Sequence, residues 1–523
     1  MMLNDLWIDL VTTATLGTER RAPAWPQPAG QLGALLSQVG PADREGALLS
    51  AAAIVSLYRR AARLPQPSDT PALPAADQDD LPACPPGALQ HLAALLDGAQ
   101  RGLLPEWLAA LAQSGRRVPA AYLPALLELG CGQPALHAQI VPVLGARGRW
   151  LATQNPAWSY AAPAGRSSLP RADDRAALAG AWETGARPAR LALLLELRTR
   201  APQIARELLA ASWATERADD RAAYVAALEH NLSDDDEPLL EAALDDRSKE
   251  VRRAAALLLA RLPHSRLVGR MCVRAQPLLA FVAERPRAFG VRRSRAPQLV
   301  VTLPAACDAA MQRDGIVPQL PGHRQKLGER AWWLIQILSA IPPAIWSEQW
   351  QVAPATLIGI AAHGEWRQAL LEGWQAAALN ARDAGWAEAL LRHGQSTADL
   401  ISVLPAERQD ALLIEILRGD CTPLHKHPVL DMLRKTEHRW SAALTRAVLR
   451  ATHRHMRSWN DSYDYQLRGA LTDEFARRMP PELLPEIMAS WPDEPAVRER
   501  WQGVIDKLLI TVQFRHDMLR ALG

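Results

Sequence analysis

The sequence predicts an all-α chain: an α-solenoid of stacked helix pairs, broken by one irregular insertion. Three observations predict it. Apolar residues recur at helical spacing along most of the 523 residues. A related segment returns along the chain, "RADDRAALAGAW" beginning at Arg171 and "RADDRAAYVAAL" at Arg217, a spacing of 217 − 171 = 46 residues. The chain is also too long for one ordinary core, which points to roughly two to four domains or to a repeat array that escapes the size limit. A period of about 40–47 residues is that of HEAT and armadillo units, so the array is read as HEAT-like or armadillo-like.

Taken in order, residues 1–63 predict N-terminal helices, of which "ADREGALLSAAAIVSLYRRAA" is the clearest, with Asp43 near its start. Residues 64–86, "LPQPSDTPALPAADQDDLPACPP", are rich in Pro and Asp and predict a surface linker. Residues 87–170 predict short helices punctuated by Pro105, Pro119, Pro124, Pro134 and Pro142, ending in a loop. Residues 171–276 are the HEAT-like repeats. Residues 277–328 form the insertion, in which "PQLVVTLP" reads as a short strand hairpinned with "LLAFVA". Residues 329–523 predict further, more divergent helical repeats.

The clearest helix pair lies between Ser233 and Pro263. Leu239, Leu240, Ala243 and Leu244 share one face. Val251, Ala254, Ala255, Leu258, Leu259 and Leu262 form a second stripe. Ser233 to Glu237 supply cap oxygens and first-turn negative charge, and Pro238 sits where a first-turn proline is tolerated. "DDRSKE" is the turn, and Pro263 stops the second helix. In HEAT arrays an Asp in such a turn and an Arg opening the next helix form a ladder between units. Asp245, Asp246 and Arg252 are the ladder candidates.

Composition narrows the function classes. The net charge of +3 gives no global pull toward nucleic acid or membrane. Cys84, Cys131, Cys272, Cys307 and Cys421 are odd in number and far apart, which argues against a disulfide framework and fits a reducing compartment. Asp5 and Asp9 interrupt the apolar N-terminus, so it does not read as a signal peptide. No apolar run reaches the length of about 18 residues that a transmembrane helix needs. A cytoplasmic location without membrane contact is expected.

Three separated segments carry a family resemblance: "TATLGTERRAPAW", "DEPLLEAALDDRSKEVRRAAALLLARLPHSRLVGRM", and "VTLPAACDAAMQRDGI" followed by "GERAWWLIQILSAIPPAIW". Their order resembles an uncharacterised bacterial domain-of-unknown-function family over nearly the whole chain. Members of that family are often encoded beside a MoxR-type AAA ATPase, a von Willebrand factor A domain protein and a SWIM zinc-finger protein. The resemblance therefore implies a place in an ATPase-driven chaperone or remodelling system, with the ATPase or the von Willebrand factor A protein as partner. It implies no catalytic residue.

Two side-chain clusters carry chemistry of their own. Arg285, Arg287, Arg292, Arg293 and Arg295 surround Phe289 in the insertion. Arg offers bidentate contacts to phosphate or carboxylate, and Phe can stack on a base. With Arg252 and Arg253 they are the candidate partner-binding residues. The plainer reading is a solvated rim in a chain that uses Arg far more than Lys. The second cluster is Cys421, His425, His427 and His438, with His453 and His455 further on. Thiolate and imidazole are zinc ligands, but an H-x-H pair on a helix points about 200° apart, and no familiar finger spacing results. The 18 Trp residues read chiefly as helix-packing core.

No P-loop, H-E-x-x-H, G-x-S-x-G or dinucleotide-binding loop is present in the sequence. The expectation is a non-catalytic scaffold for protein partners, with no cofactor and no metal. The alternatives are a nucleic-acid-binding solenoid using the Arg285–Arg295 loop and a metal-dependent enzyme at the C-terminal histidines.

Overall fold

The computed structural model describes residues 3–22, 30–40, 43–61, 75–79, 81–162, 174–283, 296–322, 327–394, 397–458 and 464–523. The chain divides into two units, Met1–Ala75 and Ala76–Gly523. The fold is all-α apart from one two-stranded sheet. Among the described residues, no helix is long and apolar enough to cross a membrane.

The first unit holds α1 (Leu3–Leu16), α2 (Gln31–Leu36) and α3 (Arg44–Ala61). Leu6 and Leu10, Leu32 and Leu36, and Ala51 and Val55 come from these three helices in turn and close its core.

The second unit begins with a packed segment rather than a free linker. Cys84 N–H donates to Arg117 O and Arg117 N–H to Pro82 O, each at 2.9 Å. The Asp79 carboxylate pairs with Arg117 at 3.1 Å and accepts from Ala146 N–H at 2.6 Å. Asp79, Pro82 and Cys84, inside the expected 64–86 linker, are thus tied down. The Pro/Asp composition that suggests a solvated linker also supplies the carboxylate that caps a helix here. Five helices follow: α4 (Pro86–Leu96), α5 (Leu104–Gln113), α6 (Leu123–Gly132), α7 (His137–Ile140) and α8 (Gly145–Gln154). Pro105 and Pro124 fall in the first turns of α5 and α6, where a missing N–H costs no helical bond. The prolines start these helices rather than end them.

Next come α9 (Arg175–Thr184), α10 (Arg187–Arg200), α11 (Pro202–Ser212), α12 (Ala218–Ala227), α13 (Glu237–Ala243), α14 (Lys249–Leu259) and α15 (Arg266–Ala275). Helix α12 packs on both α10 and α14, so alternate helices are neighbours. The start of α13 is capped as its sequence requires: the Ser233 side chain accepts from the Asp236 N–H, and the Asp236 side chain accepts from the Ser233 N–H. Helix α14 ends at Leu259, four residues before Pro263. Arg261 and Leu262 turn into bonds to Leu258 O and Leu259 O, because the residue before proline is pushed out of the helical region.

The insertion forms an antiparallel hairpin of β1 (Leu279–Val282) and β2 (Gln298–Val301), with Leu279 opposite Val301 and Val282 opposite Gln298. The short helix α16 (Ala309–Arg313) follows. The Phe281 ring lies 6.0 Å from that of Trp350, which fixes the hairpin to the helices beyond it.

Those helices are α17 (Glu329–Ser339), α18 (Ala344–Trp350), α19 (Pro354–Ala362), α20 (Arg367–Ala381), α21 (Ala384–Arg392), α22 (Ala406–Arg418), α23 (Val429–Lys435) and α24 (Ala442–Ser458). Then come α25 (Tyr465–Gly469), a π-helical turn over Ala470–Phe475, α26 (Ala476–Arg478), α27 (Leu484–Met488) and the long α28 (Pro495–Leu522). Trp346, Trp374, Trp386, Trp440 and Trp501 are fully buried, as the core reading expects.

One large core runs from Leu178 to Val512. A second core joins α4–α8 to Met518 and Leu522 of α28, and no residue of α9–α15 enters it. The Arg515 guanidinium, 1% exposed, pairs with Glu106 of α5 through two bonds of 2.7 Å. The helices early in this unit therefore rest on its last helix, about 400 residues away in sequence.

Candidate functional site

Charged side chains set the frame of the second unit. Arg198 of α10 is fully buried. Its Nη1 and Nη2 each donate to an Asp236 oxygen at 2.7 Å. Nε reaches His230 O, and Nη2 also reaches Leu228 O and Asn231 O. One guanidinium therefore holds the whole 228–236 connection in place. Asn231 there adopts a left-handed φ of 56° and returns a bond from its Nδ2 to Arg198 O.

A second pair follows the same logic. Arg221 of α12 donates to Asp246 at 2.7 and 3.0 Å, and Ser248 N–H adds a third bond. Burial pushes the Asp246 carboxyl up, but Arg221 and the Ser248 N–H outweigh it and hold it below the usual range. Asp245 pairs instead with Arg313 of α16. Arg252 does not extend a ladder to another unit. Its Nη1 donates to Asp246 O and Arg247 O, because one turn into α14 it lies beside the open carbonyls of its own turn. Behind these, the buried Asp314 pairs with Arg270, Arg274 and Arg313. Burial works against its charged form, yet Arg270 and Arg274 keep it well below the carboxylate range.

This frame borders a trough. A depression of about 710 Å³ lies between α14, α15, the 314–321 connection, α17 and α20, with Leu257, Met271, Ile316, Trp332 and Ile335 in its walls. A second depression of about 670 Å³ adjoins it and shares Leu379 and Asn380. Leu195, His230, Asn231 and Arg382 line that second part. Its walls are therefore set by Arg198. The first part is set by Gln336, whose side chain bonds both Val317 N–H and Val317 O and so pins the 316–318 segment to α17.

Two leucines stand half in water at the trough, Leu257 at 53% and Leu195 at 42% exposure. Covering the exposed half of either is worth about 1 kcal/mol. Arg253 and Arg382 sit at the edges of the two parts. Both are exposed, and among the described residues no carboxylate pairs with either. Arg382 follows α20 in the left-handed region, φ 51°, a place glycine usually takes.

Of the candidates drawn from sequence, Arg253 reaches the trough and Arg252 does not. Arg285, Arg287, Phe289, Arg292, Arg293 and Arg295 lie outside the described residues. Trp332, one of the tryptophans that read chiefly as core, lines the trough, and nothing in the sequence singles out Leu195 or Arg382. Leu257 carries a faint signal, an extra leucine off the stripe that buries Val251, Ala255, Leu258 and Leu259.

Residues 9–522 match the model of a family described as "Family of unknown function (DUF5691)". The chain belongs to that family. No curated protein and no solved structure matches it.

The C-terminal histidines of this family member are dispersed. His438 pairs with Asp410 at 2.7 Å, the His427 Nδ1 accepts from Val429 N–H, and the Cys421 thiol donates to Ile416 O. Among the described residues His425 and His455 meet, with ring centroids 5.4 Å apart and the Asp464 carboxylate 3.6 Å from the His455 Nε2. Burial drives the His455 imidazole down to about 4 against the pull of Asp464. Among the described residues, no group of three or more His, Cys, Asp or Glu side chains is arranged to hold a metal.

Proposed function

We propose that the protein is a non-catalytic scaffold: a cytoplasmic, HEAT-like α-solenoid whose trough receives a segment of a partner protein. The observation that carries this reading is the continuity of the two depressions through Leu379 and Asn380. Together they give a long surface, apolar in the part between α14, α15, α17 and α20 and more polar in the part lined by His230, Asn231 and Arg382, with half-exposed leucines and, at the edges, arginines that no carboxylate among the described residues pairs with. Such a surface suits apolar side chains of an extended or helical segment, with carboxylates placed to meet Arg253 and Arg382. The Arg198 and Arg221 pairs support it by fixing the connections between helices. The family resemblance names the partners to try first, a MoxR-type AAA ATPase or a von Willebrand factor A domain protein.

The test titrates each of these proteins, from the same source, into the full chain and into Leu257→Glu and Arg382→Glu variants. Binding that either substitution weakens about tenfold, in chains that melt like the parent, supports the scaffold reading. Binding that ignores both substitutions, or no binding by either protein, overturns the reading as stated here.

A further inference from the structure

A cleft of about 850 Å³ runs beside the hairpin. Every residue from Ala296 to Val301 lines it, and among the described residues none of β1 does. The cleft therefore follows the edge of β2 that faces away from β1. Its opposite wall is α19 and the turn after it, through Thr356, Gly359, Ile360, Glu365 and Trp366.

The pairing of the two strands decides which backbone groups face the cleft. Residues of an antiparallel pair turn their N–H and C=O alternately toward the partner strand and away from it. Thr302 N–H donates to Leu278 O at 2.8 Å. Leu279 lies opposite Val301, so Leu278 lies opposite Thr302. Gln298, Val300 and Thr302 therefore pair with β1, and Leu299 and Val301 turn their N–H and C=O outward. The next outward carbonyl, Leu303 O, accepts from Arg330 Nη2 at 2.9 Å, and Pro304 O accepts from Arg330 Nε at 2.6 Å. That end of the edge is closed. Among the described residues, nothing bonds the outward groups of Leu299 and Val301.

Strand edges of this kind are usually blocked by a charge, a proline or a bulge. Pro297 and Pro304 bracket this one, but Gln298 to Val301 carry neither charge nor proline. The edge is also held in place, since Leu279, Phe281, Leu299 and Val301 pack into the main core. Gly359 faces the cleft from α19, and a Cβ there would meet nothing within 4 Å, so space is kept between helix and strand. Glu365 is the one acid in the walls. It is exposed, and among the described residues no cation pairs with it.

We propose that this cleft takes an extended segment of a partner protein, which adds to the hairpin as a third strand beside β2. Main-chain bonds to Leu299 and Val301 supply the affinity, and alternate side chains fill the space over Ile360 and Trp366. The segment is apolar at every second position and carries a Lys or Arg to meet Glu365. A second copy of this chain does not fit, because its own β2 edge has an α19 across the same cleft. The cleft shares no lining residue with the trough, so its fate does not decide the scaffold reading.

Main-chain pairing tolerates many sequences, so the probe is a capped peptide that alternates valine with threonine and has lysine at each end. It is titrated calorimetrically into the full chain. The same peptide N-methylated along its backbone, which removes its main-chain donors, is the control. Gly359→Leu fills the cleft and favours the helix, and Glu365→Gln removes an exposed charge. Saturable binding of the unmethylated peptide is expected in the parent. Gly359→Leu should weaken it about tenfold and Glu365→Gln about threefold, while both variants melt like the parent. No saturable binding, equal binding of the N-methylated peptide, or equal affinity in the parent and both variants overturns the proposal. So does a parent that sediments as a dimer and that Val301→Pro turns into a monomer, because the edge then belongs to a second copy.

Discussion

Arg198 and Asp236 form a bidentate ion pair with both side chains wholly out of water, at 2.7 Å for each of the two N–O contacts. Such a pair is costly to break, because the surviving charge stays buried. Arg198→Met is expected to destabilise the second unit by about 3–5 kcal/mol, since the buried Asp236 carboxylate keeps Arg206 as its one cationic partner among the described residues, beside the Ser233 N–H. A double variant with leucine at both positions should recover part of the loss. Urea denaturation of the single and double variants checks this, and a single variant within about 1 kcal/mol of the parent refutes it.

Gly315 sets the position of the trough wall through contact rather than charge. It stands at φ +85°, and a Cβ there would lie 2.5 Å from the Ala256 Cβ of α14. Gly315→Ala should cost about 1–3 kcal/mol from backbone strain and overpacking together. Ala256→Gly in the same chain relieves the clash but not the strain. Thermal melts of both variants should therefore show a partial rescue.

The Arg515–Glu106 pair joins the last helix to α5. Arg515 also donates to Ala476 O at 2.7 Å and Met479 O at 2.5 Å, so the guanidinium would stay in place if Glu106 were lost. Glu106→Ala is expected to cost about 1–3 kcal/mol. It should also make residues 75–162 more accessible to limited proteolysis, because their core is completed by Met518 and Leu522. Cleavage that spreads evenly over the whole unit would argue against this dependence.

Local features of this fold are legible in the sequence, and distant ones are not. Ser233, Asp236 and Pro238 lie within one turn, and their capping role follows from spacing alone. Val251 to Leu259 reveal the buried face of α14 by period, and "LLAFVA" and "PQLVVTLP" reveal the hairpin. Nothing near Arg198 marks it as buried, because its partner lies 38 residues on and its charge resembles that of any surface arginine. The docking of α4–α8 on α28 joins residues 409 positions apart, and no local pattern encodes it. The trough is hidden for the same reason: Leu195, Leu257 and Leu379 come from three helices. The repeat pattern fixes the position of Arg252 in its helix but not which carbonyls lie within its reach, those of Asp246 and Arg247.

His455 gives the fold a pH dependence with a definite sign. Its ring is fully buried, packed by His425 and Trp501 and faced by Asp464, with Arg468 also nearby. Burial lowers it from 6.5 to about 4, with Asp464 opposing and His425 and Arg468 adding to the fall. Between those values the unfolded chain binds a proton that the folded chain does not. Stability therefore rises with pH across the window, is fully present above 6.5, and is lost as pH falls to about 4. The contribution is on the order of 3 kcal/mol. Urea titrations at several pH values through this window should give a slope that His455→Leu reduces by about one proton. An unchanged slope in that variant would mean that other groups, and not this imidazole, carry the acid sensitivity of the C-terminal helices.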